Sequence, residues 1–292
     1  MFISKTLSIV AITLATIAST FVEASPIPAS ALVKRSSSGY NDWNCQPSSS
    51  HPTPIVLVHG LIANGDDNWI YMGPRFAASG YCAYSFTYGQ LTNGSFIAGL
   101  DKMENSAVQL STFVDKVIAA TGISKVHLVG HSQGSLMPRY YLKFLNGAAK
   151  VDKFAAFGAI AYGTTLDGLV PFLTSLGLYD VIHSIINPIC LSCFEFLENS
   201  EFLTNLNAGG DTVPGVTYKF IVSKHDEVVT PYTNGFLRDN NPLATNVVLQ
   251  NLCTVDASEH ALMMLDPIVY HEIDAFLNPN AIQTVNCLSA LY

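Results

Sequence analysis

A short apolar run that leads into a glycine-flanked serine is the feature that most constrains the fold of this 292-residue chain. The run is KVHLV at residues 125–129, the serine lies at the centre of GHSQG at 130–134, and a helical pattern follows. A turn between strand and helix is tight enough to require small residues beside the serine, which explains the two glycines. It places the Ser132 hydroxyl at the carboxyl edge of a sheet, and we predict that Ser132 is a nucleophile. The alternative is a serine that only caps the helix.

Apolar runs and helical patterns alternate along the rest of the chain. A short continuous apolar run is typical of a strand buried on both faces of a parallel sheet, and intervening helices cover both faces of such a sheet. The fold class is therefore α/β, in one domain over residues 36–292. We predict strands at 55–58, 81–86, 125–129, 154–160, 218–222 and about 246–250, and helices at 106–121, directly after Ser132 and at 267–277.

A second motif, IVLVHGL at residues 55–61, indicates where an oxyanion would be held. Acyl transfer needs two backbone N–H donors, one directly after the nucleophile and one from an earlier strand-to-helix loop. We assign these donors to the amides of Gln133 and Leu61. His59 and His131 lie beside these positions, and we interpret both as structural hydrogen-bonding residues.

The chain order serine, acid, histidine selects an acid for Ser132. Asp226 follows a predicted strand in FIVSKHDEVVTPY, where a triad acid belongs. Its neighbour Glu227 is the main competitor, and Asp211 and Asp256 are weaker ones. We predict that Asp226 is the acid.

The same order selects the base. SEHALMML supplies His260, between the last predicted strand and the last predicted helix. His225 precedes the acid and His271 lies inside the predicted helix, so both fit the order less well. We expect His260 to take the proton of Ser132, and Asp226 to orient and support the imidazolium.

The N-terminus predicts export. Residues 1–24 combine a lysine near the start, an uncharged apolar run and small residues at the end, which is the pattern of a signal peptide. The run is too short and too rich in Thr and Ser for a transmembrane anchor. Residues 25–35 contain Pro and Ser and end in Lys34-Arg35, and we predict that they form a propeptide. The mature, secreted chain would then begin near Ser36.

In an oxidising compartment the six cysteines are expected to form disulfides. The alternative is zinc or redox chemistry, but no second Cys pair or His pair has ligand spacing, so we expect no metal site. Asn93-Gly94-Ser95 is a candidate N-glycosylation site at Asn93. The predicted bridges join neighbours in sequence order: Cys45–Cys82, Cys190–Cys193 and Cys253–Cys287.

Charge excludes one class of partner. Residues 36–292 hold 11 of the 14 Lys and Arg residues and 21 of the 22 Asp and Glu residues. An acidic chain is a poor binder of nucleic acid. We expect no nucleic-acid partner, and a monomer.

Longer segments resemble a known family. PTPIVLVHGLIANGDDNW, GYCAYSFTYG, the run from SAVQL to KVDK, GTTLDGL and DEVVTPY together resemble the class 2 lipase family of secreted α/β-hydrolases over most of residues 45–275. The resemblance implies an α/β-hydrolase fold and hydrolysis of carboxylesters or triacylglycerols without a cofactor. It also implies a triad of Ser132, Asp226 and His260, with oxyanion amides at Leu61 and Gln133.

Two segments concern the substrate. Ala161-Tyr162 departs from the Pro/Asn/His-type approach expected before GTT at 163–165, which bears on substrate preference more than on mechanism. Residues 169–189 carry one charge, Asp180, and Pro and Gly break them into short pieces. One interpretation is an acyl-binding wall or a mobile cover that meets lipid aggregates. The other is a set of helices packed on the sheet.

The leading hypothesis is a lipase or esterase that acts on lipids or other apolar esters, with a lipid–water interface as a candidate location of the substrate. A polyesterase or acyltransferase with the same triad is a close alternative. A non-catalytic secreted binding protein on this fold is the third interpretation, because fold alone does not determine function.

Overall fold

Six parallel strands form the central sheet of the structure, a computed structural model that describes residues 40–278, 280, 281 and 287. The predicted signal peptide, 1–24, and propeptide, 25–35, lie outside the described residues. The strands are β1 (Ile55–Val58), β2 (Ala83–Phe86), β3 (Val126–His131), β4 (Val151–Phe157), β5 (Thr217–Val222) and β6 (Ala244–Val248). Their order across the sheet is β2-β1-β3-β4-β5-β6.

The register of the sheet aligns the carboxyl ends of its middle strands. Val58 pairs with Gly130, and Gly130 pairs with Ala156. Every residue of β1 and β3 is buried, as expected for strands covered on both faces. The loops after β1, β3 and β4 therefore leave the sheet side by side, at the edge where α/β sheets bind their ligands.

Helices cover both faces of the sheet. They are α1 (Met72–Ala78), α2 (Met103–Thr121), α3 (Gln133–Phe144), α4 (Leu169–Ser175), α5 (Tyr179–Ile186), α6 (Glu201–Asn207), α7 (Leu249–Leu252) and α8 (Pro267–Leu277). Val56 and Val58 pack in an apolar cluster with α2 and α3, whereas Ile55 and Leu57 pack with α1 and α8 on the opposite face. The predicted α/β class, with a parallel sheet between two helical layers, is confirmed.

The predicted helix at 106–121 corresponds to α2, and the spacing of its apolar residues predicted the end of the helix better than its beginning. Its apolar stripe is buried in α2, and the helix ends at Gly122, whose φ of +69° is the left-handed conformation that glycine favours. The helix begins at Met103 rather than at Ser106, and the buried Met103 extends the apolar stripe by one turn. The apolar stripe therefore predicted which face of the helix is buried, but not the residue at which the helix begins.

β1 has its predicted bounds, whereas β2, β4 and β6 differ from the prediction by two or three residues at one or both ends. β4 occupies 151–157 rather than 154–160, because Gly158 turns the chain out of the sheet with φ +51°. β2 begins at Ala83 rather than at 81, since the Tyr81 amide donates to the Phe76 carbonyl after α1. β6 lies at 244–248 rather than 246–250.

Two of the three predicted disulfides are present. Cys45–Cys82 attaches the segment before β1 to the start of β2, and Cys190–Cys193 closes a short loop after α5, with Cα atoms 5.7 and 5.4 Å apart. The predicted bridge between Cys253 and Cys287 is wrong in this structure, where both residues are free thiols. The Cys287 sulfur lies 3.4 Å from the Leu252 carbonyl oxygen, and the Cys253 sulfur lies 3.7 Å from the Cys287 carbonyl oxygen.

The apolar segment 169–189 lies on the surface as α4 and α5. Neither helix has a buried residue, and Phe172 and Ile185 are 53% and 63% exposed. Only partly buried side chains such as Val170 and Tyr179 reach the core. This arrangement favours an exposed wall or cover over helices packed on the sheet.

Within the described part of the chain, no single helix is long and apolar enough to cross a bilayer. Leu169–Ser175 and Tyr179–Ile189 reach that length and composition only as a pair, and the pair is bent by 119°.

Candidate functional site

Ser132 lies in a strained turn between β3 and α3. Its φ of +54° and ψ of −120° are unusual for a residue with a side chain. A Cβ atom at Gly130 would collide with the Gly134 carbonyl group, and one at Gly134 would collide with the Val58 carbonyl oxygen. Both glycines are therefore required by contacts across the turn, as the sequence predicted. Backbone strain of this kind is commonly found at functional sites.

The turn brings Ser132 against His260, and His260 against Asp226. The Oγ atom of Ser132 lies 2.8 Å from Nε2 of His260, and Nδ1 of His260 lies 2.8 Å from Oδ2 of Asp226. All three residues are buried. A neutral imidazole that donates from Nδ1 to the carboxylate keeps Nε2 free to accept the serine proton. The geometry therefore permits a proton to move from Ser132 to His260.

The second carboxylate oxygen of Asp226 is also occupied. Its Oδ1 atom accepts hydrogen bonds from the amides of Val228 and Val229 at 3.0 and 2.7 Å. Two amide donors hold the carboxylate in one orientation, with Oδ2 directed at His260.

The competing acids and bases occupy other positions. Glu227 Oε2 accepts the backbone amide of His260 at 3.2 Å and does not contact its ring. Asp211 is buried in an ion pair with Arg139, 3.2 Å away. Asp256 accepts the Ser258 amide at 2.8 Å.

The competing histidines are separate from the site as well. His225 is exposed, and its amide donates to the Ser223 hydroxyl. His271 lies in α8, and both of its ring nitrogens lack a hydrogen-bond partner among the described residues. The structure thus brings together the three residues selected by chain order, and neither of these histidines.

The two predicted oxyanion donors flank this arrangement. Leu61 follows β1, and Gln133 is the first residue of α3, so its amide has no acceptor within the helix. Within residues 40–278, neither amide donates to a protein acceptor. The positive end of the α3 dipole adds to the favourable field for an anion at this point.

Gly99 lies beside the two residues that supply these donors, and the sequence did not predict this position. Its carbonyl oxygen accepts the side-chain amide of Gln133 at 2.9 Å. With φ of +75°, a Cβ atom added to Gly99 would lie 2.6 Å from the Gln133 Oε1 atom and 3.3 Å from the Leu61 Cα atom. A side chain at Gly99 would therefore press on the Gln133 side chain and on the Leu61 backbone. No periodicity or motif in the sequence marks this glycine.

His59 is buried beneath the oxyanion loop. Its Nδ1 atom lies 2.7 Å from the Gly60 carbonyl oxygen, and its Nε2 atom accepts the Tyr88 amide at 3.2 Å. Burial lowers the pKa of His59 to about 4, so the ring is neutral near pH 7. Its contacts are those of a structural residue, as we interpreted it.

His131 is buried on the other side of Ser132. Its Nδ1 atom lies 2.9 Å from Asn68 Oδ1, and its Nε2 atom lies 3.2 Å from the His260 carbonyl oxygen. Burial, with a further contribution from His260, lowers the pKa of His131 to about 3. Asn68 is a second residue that sequence reasoning missed.

Acidic residues surround the His260 loop. Burial raises the pKa of Glu227, with a contribution from Glu259. Asp266 begins α8, where its side chain accepts the Ile268 amide, and burial together with Asp256 raises its pKa to about 6. In the part of the chain that the structure describes, no group of three or more His, Cys, Asp and Glu residues is placed to hold a metal ion.

Comparisons with known proteins agree with this geometry. The family model described as Lipase (class 2) matches residues 52–270. A triacylglycerol lipase of Pseudarthrobacter phenanthrenivorans is 37% identical over 92 residues, which cover 30% of this chain and 27% of that protein. The matched region spans only about a quarter of the length of the curated relatives.

Solved structures share the fold. Aspergillus fumigatus lipase B superposes with a TM-score of 0.61 at 20% identity, covering 76% of this chain and 52% of that chain. The mature form of Bacillus licheniformis lipase BlEst2 superposes with a TM-score of 0.59 at 17% identity, covering 80% and 94%. At these identities the likeness concerns the fold alone.

Proposed function

Since this chain belongs to the class 2 lipase family, we propose that it is a serine carboxylester hydrolase that cleaves acylglycerols or other apolar acyl esters. The observation that carries the proposal is the hydrogen-bonded series from Ser132 Oγ through His260 to Asp226, with both distances at 2.8 Å. The same atoms in this order activate a serine hydroxyl in acyl transfer.

The first half of the reaction forms an acyl-enzyme. Ser132 Oγ attacks the ester carbonyl carbon while His260 Nε2 takes its proton, and Asp226 supports the resulting imidazolium. The amides of Leu61 and Gln133 donate to the oxyanion of the tetrahedral intermediate. The carbon–oxygen bond to the alcohol then breaks, and His260 returns the proton to the departing alcohol.

The second half releases the acid. Water attacks the acyl carbon and gives a proton to His260, which forms a second tetrahedral intermediate held by the same two amides. The bond to Ser132 Oγ breaks, and the serine takes the proton from His260. The products are the carboxylic acid and the alcohol, and the enzyme returns to its initial state.

The surface of α4 and α5 supports an apolar substrate. Both ends of the segment are anchored beside the site: the Thr165 amide donates to the Thr230 carbonyl at 2.9 Å, and the Ser192 hydroxyl donates to the Gly99 carbonyl at 2.6 Å. Exposed apolar patches commonly bind other apolar surfaces. We propose that this pair of helices faces esters aggregated at a lipid–water interface. Its large exposed apolar side chains are Leu169, Phe172, Leu176, Leu178, Val181 and Ile185.

Secretion belongs to the same proposal. The N-terminal pattern of residues 1–35 and the disulfides Cys45–Cys82 and Cys190–Cys193 fit an oxidising, extracellular location. Asn93 is exposed and available for glycosylation. N-terminal sequencing of the protein from the culture medium tests the processing, with a start near Ser36 expected and a start upstream of Lys34 contradicting the propeptide.

The activity is tested with p-nitrophenyl esters and two serine variants. Ser132→Ala should lower kcat/KM by at least about a thousandfold, as removal of a nucleophile does. Ser50→Ala, at an exposed serine before β1, is the matched control and should retain wild-type activity. A wild-type protein without esterase activity, or an active Ser132→Ala variant, would contradict the proposal.

A further inference from the structure

His131 is a buried histidine that the reaction above does not use. Its ring stacks on Phe157 with centroids 4.9 Å apart and planes 20° apart. It points away from the Ser132 hydroxyl, and its two nitrogens lie against oxygen atoms of Asn68 and of the His260 main chain, at 2.9 and 3.2 Å. A purely packing role would be served by an apolar ring, so the two polar contacts need an explanation.

Asn68 extends these contacts to the oxyanion loop. It is buried, and its Oδ1 atom accepts the Gly60 amide at 3.0 Å while also facing His131 Nδ1. Gly60 directly precedes Leu61, whose amide is a proposed oxyanion donor. One side-chain oxygen therefore joins the oxyanion loop to the residue beside the nucleophile.

The contacts form a continuous series across three loops. It runs from the Gly60 amide through the side chains of Asn68 and His131 to the carbonyl of His260, and no other side chain intervenes. The loops after β1, after β3 and before α8 are far apart in sequence. We propose that His131 is a positioning residue that, with Asn68, holds the His260 backbone and the Leu61 amide in register with Ser132; this inference rests on the proposed function.

Proton counting indicates which contact matters more. Burial keeps the His131 ring neutral, and a neutral imidazole has one N–H, so it cannot donate to both oxygens at once. The Asn68 Oδ1 atom already accepts the Gly60 amide, whereas no other hydrogen bond to the His260 carbonyl oxygen is found within residues 40–278. Donation from Nε2 to His260 therefore satisfies the group that would otherwise be unpaired. In this tautomer Nδ1 carries no proton, so it packs against Asn68 Oδ1 without a hydrogen bond, and Asn68 acts through the Gly60 amide.

Three variants separate positioning from packing. His131→Phe keeps the stacked ring and removes both polar contacts. His131→Gln places an amide donor near the former Nε2 position and should restore the contact to His260. Asn68→Leu keeps the branched shape and the four side-chain heavy atoms of the native residue but removes the acceptor of the Gly60 amide. Ser132→Ala is the inactive reference.

We expect kcat on a soluble p-nitrophenyl ester to fall about ten- to hundredfold in His131→Phe and Asn68→Leu, since small displacements of reacting groups have effects of this size. KM should stay within about twofold, and His131→Gln should recover most of the lost kcat.

Thermal denaturation provides the second readout. A residue that only packs would lower the melting temperature and leave kcat unchanged at temperatures where the variant is folded. Values of kcat within about twofold of wild type in His131→Phe and Asn68→Leu would overturn the inference, as would equal losses in His131→Phe and His131→Gln. If Ser132→Ala proved active, the proposed function would fail first, and the two failures are therefore distinguishable. Because Asn68→Leu and His131→Phe remove different hydrogen bonds, failure of one variant to fold leaves the other as a test.

Discussion

Asp226 and Glu227 are adjacent in sequence, yet they contact different parts of His260. Asp226 Oδ2 lies 2.8 Å from the ring nitrogen Nδ1, whereas Glu227 Oε2 accepts the backbone amide at 3.2 Å. One carboxylate is placed to support a charge on the ring, and the other holds the loop. The difference comes from the turn after β5, whose amides at Val228 and Val229 orient Asp226.

This difference predicts unequal effects of matched substitutions. Asp226→Asn should lower kcat by about 10⁴-fold, because an amide cannot stabilise the imidazolium. Glu227→Gln retains an acceptor for the His260 amide and should change kcat by only a few-fold. Steady-state kinetics of the two variants on one soluble ester checks the prediction. A larger loss of kcat in Glu227→Gln than in Asp226→Asn would show that the triad acid is not Asp226.

The spacing of the oxyanion donors predicts an effect at Gly99. Gly99→Ala should lower kcat about ten- to hundredfold, because the added Cβ would displace Gln133 or Leu61. Gly94→Ala is a matched control: its φ of +80° is close to the +75° of Gly99, but no atom lies within 4 Å of the added Cβ. Comparable losses of kcat in the two variants would show that backbone strain, not donor spacing, causes the effect.

Much of the site could be predicted from the sequence, and the reasons are local. Ser132 lies between a strand and a helix with glycines on both sides, and chain order leaves few candidates for Asp226 and His260. Gly99 and Asn68 carry no such signal, because their roles depend on contacts between loops that the sheet brings together. The sequence also did not predict that Cys253 and Cys287 are unbridged, since the order of cysteines along the chain does not give the positions of their sulfur atoms.

The exposed face of α4 and α5 predicts a substrate-dependent effect. Val181→Ser should lower activity on an emulsified long-chain ester roughly fivefold, because about 1 kcal/mol of apolar contact with the lipid is lost. Activity on a soluble short-chain ester should not change. Val108→Ser on α2 is the control, since both valines are 54% exposed. Equal effects on both esters would argue against contact between α5 and lipid.

Asp266 predicts a pH dependence of stability. Burial raises the pKa of Asp266 in the folded protein to about 6, above the ordinary value of an aspartate, 3.8. The folded state therefore binds the Asp266 proton more tightly than the unfolded state does. The resulting contribution to the free energy of unfolding is fully present below about pH 4 and is lost as the pH rises through about 6. Urea unfolding at pH 4.5 and pH 7.5 should show a smaller pH-dependent loss in Asp266→Asn than in wild type. An equal loss of stability between the two pH values in wild type and Asp266→Asn would exclude Asp266 as the source of the pH dependence. Asp167→Asn, at an exposed carboxylate, is the control and should behave as wild type does.

The central claim is that Ser132 carries the acyl group during turnover. Mass spectrometry of the protein, quenched in acid during hydrolysis of a p-nitrophenyl ester, measures this directly. We predict a mass increase equal to the acyl group on the peptide that contains Ser132, and no such increase in Ser132→Ala. Rapid hydrolysis with an adduct on another residue would contradict the account.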